Sequence, residues 1–254
     1  MSIISLNCRG LGNPSAVTGL RDIIRREAPA AIFLCETKLS SREMDEVTVR
    51  IEGYTDLAVD STGRSGGLAF LWRKEIKCEL RSMTSHHMDF MIHVGDSPWR
   101  ITRLYGDFNE ILFTTEMKGG QRSQRQMTDF REAVDDCGLR DLGYVGYGFT
   151  YDNRQADKDN RQTRLDRALA TMSWNDLFPR AKLINMDREW SDHAPIKLIL
   201  NDDGSTPGYK KRLFRFEQLW VGEDGCEDTI REAWSSGETD IVGRLQSCAE
   251  GLTK

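Results

Sequence analysis

No uninterrupted apolar run in the chain approaches the roughly 18 residues that a membrane-spanning helix needs, so no membrane partner is expected. The first residues, Met1-Ser-Ile-Ile-Ser-Leu-Asn7, lack a basic region and a long apolar segment, so no signal peptide is expected either. The six cysteines (Cys8, Cys35, Cys78, Cys137, Cys226, Cys248) are scattered, and none forms a Cys-x-x-Cys pair. Free thiols in a reducing, intracellular compartment follow from that scatter, and a structural zinc site does not. No internal repeat is apparent. An excess of one charge is lacking too: 35 Lys and Arg against 40 Asp and Glu leave a net charge of −5. That balance offers nucleic acid no global attraction, yet it is compatible with an acidic, metal-bearing cleft flanked by a local basic patch.

What is present is a polar globular chain of 254 residues, 39% hydrophobic and 30% charged, long enough for a sizeable core. Ile3 to Asn7 reads as a buried strand ending in a polar residue. Asn13-Pro14 then supplies an N-cap and first helical position, and Val17, Leu20, Ile23 and Ile24 follow at helical spacing until Pro29. Ala30 to Cys35 is a second buried strand, ending at Glu36. This β-α-β pattern brings polar strand ends to one sheet edge, where open α/β sheets usually place their sites. Short alternating strands are predicted at Gly66–Trp72, Ile76–Leu80 and Met88–Val94. Further on come a helix over Gln121–Cys137, a short helix over Ser173–Phe178, and strands at Ala181–Met186 and Ile196–Leu200. Asn201-Asp-Asp-Gly-Ser-Thr-Pro-Gly208 has linker composition. The expected division is therefore a domain over 1–203 and, over 204–254, a linker with a helical tail.

Chemistry is suggested first by Arg100 to Leu112, one extended run in which Tyr105, Asp107 and Asn109 stand at alternate positions and share a face. The alternative is a solvated edge strand. Glu36 and Asp192 are candidate hard-cation ligands, because Mg2+ takes one or two carboxylates with water and phosphate oxygens. Each is otherwise a surface acid or a salt-bridge partner. His193, beside Asp192, is a candidate general base or phosphate ligand. Asp166 either orients that imidazole or pairs with a neighbouring arginine. His86-His87-Met-Asp89 lacks metalloprotease spacing and reads as a loop entering a strand.

Five motifs occur in a telling order: Ser5-Leu6-Asn7, Cys35-Glu36-Thr37-Lys38, Gly106-Asp107-Phe108-Asn109, Arg164-Leu165-Asp166 and Ser191-Asp192-His193-Ala194-Pro195. Together they resemble the exonuclease–endonuclease–phosphatase superfamily, which holds apurinic endonucleases, DNase I and the endonuclease domains of non-LTR retrotransposons. The wording Asp107-Phe-Asn-Glu-Ile-Leu112, Gly148-Phe-Thr-Tyr151 and Arg164-Leu-Asp-Arg-Ala-Leu169 is similar to plant LINE-type elements. Phe214-Arg-Phe-Glu-Gln-Leu-Trp220 resembles the segment that joins such an endonuclease to a reverse transcriptase.

The resemblance implies a four-layer α/β sandwich, two packed mixed sheets flanked by helices, and hydrolysis of DNA phosphodiesters with Mg2+ or Mn2+. It implies a metal on Glu36, with Asn7 and Asp192 supporting it or the phosphate. Asp107 would handle the attacking water, Asn109 the scissile phosphate, and Tyr105 the phosphate or leaving group. His193, backed by Asp166, would stabilise developing charge. Thr150, Arg154 and Arg161 would face DNA, the alternative being a solvated charged hairpin. A nuclear location is implied by the DNA target.

One departure stands out. The family places a loop, a helix and a strand between the tyrosine and the Asp-x-Asn, whereas here only Gly106 separates Tyr105 from Asp107. The sheet is thus expected to lack one strand and one helix, as after an internal deletion or a mis-spliced exon. Two further readings stay open: a catalytically inactive retrotransposon remnant with weak DNA binding, and a phosphatase acting on a small phosphoester.

Overall fold

Strands β1 (Ser2–Asn7) and β2 (Ala31–Cys35) run parallel at the heart of a sheet, with Asn7 opposite Cys35. Helix α1 (Pro14–Glu27) connects them. Asn13 caps it by accepting the Ser15 N–H at 3.0 Å, Pro14 occupies the first turn, and left-handed Ala28 closes it. Its apolar stripe of Val17, Leu20, Ile23 and Ile24 is buried. Helix α2 (Ser41–Thr48) follows β2. No helix is predicted there from apolar spacing, although Ser40-Ser-Arg-Glu43 forms a full capping box that marks its start.

The computed structural model describes residues 1–63, 65–93, 98–104, 109–156, 159–201, 225–235 and 248. Next in chain order come β3 (Tyr54–Thr62), β4 (Ser65–Arg73), β5 (Lys77–Thr84), β6 (His87–His93) and β7 (Trp99–Leu104). A 3-10 turn at Thr114–Glu116 precedes β8 (Met117–Lys118), α3 (Gln124–Asp136), β9 (Leu139–Asp141) and β10 (Val145–Gly146). Then follow β11 (Tyr151–Asp152), β12 (Gln162–Thr163), β13 (Leu169–Thr171), α4 (Met172–Leu177), β14 (Lys182–Asn185) and β15 (Ile196–Ile199). All belong to one unit, Met1–Asp202. A second unit, Asp203–Lys254, contains α5 (Cys226–Ser235), where the Cys248 thiol lies 3.6 Å from the Ile230 carbonyl oxygen. Among the described residues no helix is long and apolar enough to cross a membrane.

The principal sheet has seven strands in the order β10-β14-β15-β1-β2-β4-β3 and is mixed, with parallel pairs at β1–β2 and β10–β14. Period-two alternation sorts its side chains. Ile4, Leu6, Ile32, Leu34, Ala69 and Leu71 meet α1 and α2, whereas Ile3, Phe33, Leu68 and Phe70 meet Met88, Phe90 and Ile92 of β6. Phe70 lies within 4.4 Å, centroid to centroid, of both Phe33 and Phe90. The fold is therefore α/β, with helices on one face of the large sheet and a second layer of strands on the other.

That second layer is divided. Among the described residues it comprises an antiparallel ladder β5-β6-β7 and a separate antiparallel pair β9–β13. Trp99 of β7 packs edge-on against Trp174 and Phe178, at 6.3 and 5.4 Å, in and just after α4. Side-chain packing thus links these regions where no ladder joins β7 to β13.

The run 100–112 is not one strand. β7 ends at Leu104, and Asn109 has φ 51, a left-handed conformation that breaks extended pairing. Tyr105, Asp107 and the expected junction lie outside the described residues.

Gly19 of α1 sits beneath the Trp190 ring, where a Cβ would overlap Cε3 and Cζ3. Ala normally favours a helix interior over Gly by about 1 kcal/mol. Here the sign reverses: Gly19→Ala is expected to destabilise the chain by roughly 1–3 kcal/mol through overpacking. Chemical denaturation followed by tryptophan fluorescence measures it, and an unchanged or raised midpoint would contradict the packing.

Candidate active site

The carboxyl ends of β1 and β2 place Asn7 and Glu36 at one edge of the sheet, and the Cys8 N–H reaches the Cys35 carbonyl at 2.8 Å. Beyond them the chain turns sharply. Arg9, Glu36, Lys38 and Arg154, four of the six described non-glycine residues with positive φ, lie on the segments that meet here. Such backbone costs of order 1–3 kcal/mol per residue and survives only where the surroundings over-determine it. Gly67 lets the 36–38 turn approach β4: the Thr37 N–H donates to its carbonyl at 3.2 Å, and a Cβ there would strike the Thr37 hydroxyl.

The 190–193 loop, just before β15, closes on this edge. Ser191 donates its hydroxyl to the Asn7 carbonyl at 2.7 Å, and the Trp190 indole donates to the Cys8 carbonyl at 3.2 Å. The His193 N–H returns to the Ser191 Oγ at 3.1 Å. His193 is buried and its Nδ1 lies 2.8 Å from Asp166 Oδ2, an acceptor that places the imidazole proton on Nδ1. Tyr151 packs against the ring at 5.1 Å. Of the two partners open to Asp166, the histidine is the one it meets.

Thr150 has no exposed surface, and its hydroxyl accepts the N–H groups of Leu165 at 3.0 Å and Asp166 at 2.9 Å. It braces Asp166 from within, which corrects its expected place on a DNA-facing loop. Arg154 is exposed, but its guanidinium donates to the carbonyls of Trp190 and Ser191, tying the β11–β12 hairpin to the histidine loop. Arg161 is exposed and lies against Gly120.

Two half-buried residues that sequence reasoning passed over complete the support. Glu116 and Asp141 form a four-charge box with Arg164 and Arg167: Arg164 reaches both acids at 2.8 Å, and Arg167 reaches them at 2.8 and 2.9 Å. Burial works against ionisation of Asp141, but Arg164 and Arg167 and the Gly143 N–H hold its carboxyl below the usual range. The box clamps both sides of Asp166. Arg164 and Arg167 are therefore core ions, not part of a solvated hairpin, and no local motif marks their partners.

Asp152 is the hub of the adjoining hairpin. Its N–H donates to the Asp192 carbonyl at 3.1 Å. Its carboxylate accepts from the Arg154 N–H at 2.7 Å and from Asn160 and Gln162 at 2.9 Å, and it pairs with Arg188 at 2.9 Å. Burial alone would raise its pKa, but Gln162, the Arg154 N–H, Arg188 and Asn160 outweigh that and bring it down to about 2.

The metal candidates differ in how they are engaged. Glu36 is half-buried, and its carboxylate has no hydrogen-bond or ion-pair partner among the described residues, which leaves it open to a cation. Asn7 Oδ1 accepts the Arg9 N–H at 3.2 Å, and Asp192 pairs with the Arg9 guanidinium at 3.1 Å. Among the described residues no group of three or more His, Cys, Asp or Glu side chains is gathered for a metal. One carboxylate with an adjacent amide fits a hard ion that keeps most of its waters. Asn109, left-handed and exposed, offers its carbonyl to Arg122 at 2.6 Å.

The model of the Endonuclease/Exonuclease/phosphatase family matches residues 4–193. The endonuclease domain of TRAS1, a telomere-specific non-LTR retrotransposon, superposes with a TM-score of 0.58 at 13% identity, covering 78% of this chain and 97% of that one. AP endonuclease LMAP from Leishmania major gives a TM-score of 0.61 at 14% identity over 78% of this chain and 86% of its own. The 3′-5′ exonuclease from Neisseria meningitidis gives 0.58 at 14% identity, over 79% of this chain and 100% of that one. At these identities the likeness is one of fold. A search of curated sequences gave no match.

Because its folded pKa lies below the unfolded value near 3.9, Asp152 contributes stability that is present above that value. The contribution is lost as pH falls through about 2. Asp152→Asn is expected to cost roughly 2 kcal/mol at pH 7, with the gap to wild type closing between about pH 4 and pH 2. Denaturation midpoints across that range test it, and a gap independent of pH would contradict it.

Proposed function

Because the chain belongs to the Endonuclease/Exonuclease/phosphatase family, we propose that it hydrolyses DNA phosphodiesters with Mg2+, or Mn2+ in its place, as the endonuclease of a plant LINE-type retrotransposon. The observation that carries this reading is the buried Asp166–His193 pair on the same sheet edge as the Glu36 carboxylate, which has no partner among the described residues. In it, Glu36 holds the ion, and Asn7 and Asp192 support it or the phosphate. When bound, the ion supplies Lewis acidity to the phosphoryl oxygen.

With its Nδ1 proton held by Asp166, His193 would donate from Nε2 to developing phosphate charge when both ring nitrogens are protonated. Thr150 and the four-charge box fix the carboxylate that orients it, so the imidazole needs little reorganisation during the reaction. Asp107 would activate water, Asn109 would hold the phosphate and Tyr105 would lie near the leaving group; these three roles rest on the family resemblance. Arg161 and the free face of the Arg154 hairpin would meet the DNA backbone, which dominates affinity. The segment Phe214–Trp220 favours a retrotransposon origin over a phosphatase of small esters, and a nuclear location accompanies a genomic target.

A second reading, a catalytically silent remnant with weak DNA binding, is favoured by the divided second layer and by the single residue between Tyr105 and Asp107. Misplacing a reacting group by about 1 Å can cost on the order of a hundredfold in rate.

Nicking of supercoiled plasmid separates the two. The enzyme reading expects Mg2+-dependent nicking by the wild-type chain, reduced at least about a hundredfold in Glu36→Ala and His193→Ala. Equal background cleavage by all three proteins, each with a cooperative melting transition, would sink it and leave the remnant.

A further inference from the structure

Arg9 has no role in any function considered so far, yet it touches two of the three candidate metal residues. Its N–H donates to Asn7 Oδ1 at 3.2 Å, and its guanidinium meets Asp192 Oδ2 at 3.1 Å. We propose that Arg9 is a resident cation of the cleft: it neutralises Asp192 in place of a second divalent ion, so the site takes one metal, on Glu36. The proposal rests on the metal-dependent reading above, specifies its stoichiometry, and adopts the alternative in which Asp192 serves the phosphate and not the ion.

Three observations support it. First, the pair is not an ordinary surface bridge. Arg9 is half exposed at 51%, but Asp192 is only 16% exposed, so its carboxylate is largely withdrawn from water and requires a partner. Second, Arg9 is the cation that meets it among the described residues. Arg154 donates to backbone carbonyls of the same loop, and Arg188 is committed to Asp152. Third, the backbone is fixed to deliver the contact. Arg9 is left-handed at φ 53, Trp190 bonds the Cys8 carbonyl before it, and Ser191 bonds the Asn7 carbonyl before that. The segments 7–9 and 190–192 are therefore laced together, with the ion pair closing the lacing at the solvent side. A divalent ion on Asp192 would stand beside a fixed guanidinium, and like-charge repulsion in a partly desolvated cleft disfavours it. Glu36, without a partner among the described residues, remains the carboxylate open to a metal.

The test counts bound Mn2+ on the full chain by electron paramagnetic resonance of the free ion. Glycine suits the left-handed position, so Arg9→Gly removes the charge without adding strain. Wild type is expected to bind one ion, Arg9→Gly two, and Arg9→Lys, which keeps a cation there, one. Adding Asp192→Asn to Arg9→Gly should return the count to one. Asp192→Asn alone should leave it at one, a measurement that stands even if Arg9→Gly fails to fold. The proposal is overturned if Arg9→Gly binds as many ions as wild type, or if Asp192→Asn alone loses the wild-type ion. Glu36→Gln reports on the parent reading separately: an ion retained there removes Glu36 as the ligand and overturns that placement of the metal, while the Arg9 comparison still decides whether Arg9 stands in for a second ion. If no variant binds Mn2+, both fall.

Discussion

The parallel pairing of β1 with β2 is the constraint on which the remaining structure depends. Both strands are buried on both faces, so a slip of one residue would turn Ile4, Leu6, Ile32 and Leu34 away from the helices and toward the second layer. The register that avoids this also sets Asn7 opposite Cys35, one residue short of Glu36. Core packing and the position of the candidate ligands are thus the same fact. β15, antiparallel to β1 from Ser5↔Ile196 onward, brings His193 and Asp192 to that edge by the same logic.

The catalytic-type pair is held from the opposite side by charge. Asp166 lies between Arg164 and Arg167, whose guanidinium groups are locked on Glu116 and Asp141. Replacing such a box by apolar residues need not destabilise a protein, but removing one member leaves an uncompensated buried charge, at about 3–5 kcal/mol. Its value is geometric: rigid, planar arginine contacts fix the chain on both sides of the carboxylate that orients His193. Thr150 adds two hydrogen bonds to the backbone of the same segment, so two kinds of support converge on the stretch that carries Asp166.

The second layer is where the fold gives least. Among the described residues its ladders β5-β6-β7 and β9–β13 are not joined by hydrogen bonds, and the aromatic cluster of Trp99, Trp174 and Phe178 supplies the packing between their neighbourhoods. Apolar packing is non-directional and can link two pieces of sheet without specifying their register. The divided layer and the shortened link from Tyr105 to Asp107 concern the same half of the molecule. Glu36, His193 and Asp166 are held by the intact half and by the charge box.

The sequence by itself determined the α/β class, α1 with its Asn13 and Pro14 start, α3 and the order of most strands, and it offered the Asp166–His193 pair as one of two readings. These depend on local periodicity, capping chemistry and motif wording, which a linear reading can follow. Helix α2 was legible too, through Ser40 and Glu43, though its apolar spacing alone does not reveal it. Tertiary structure decided the rest. Glu116 and Asp141 are far in sequence from the arginines they bury, Thr150 turns inward only because the Leu165 and Asp166 N–H groups need an acceptor, and Arg154 is spent on a loop some 36 residues away. Arg9 meets Asp192 across more than 180 residues. Such contacts have no local signature, because burial and charge neutralisation choose partners by distance in space and not along the chain.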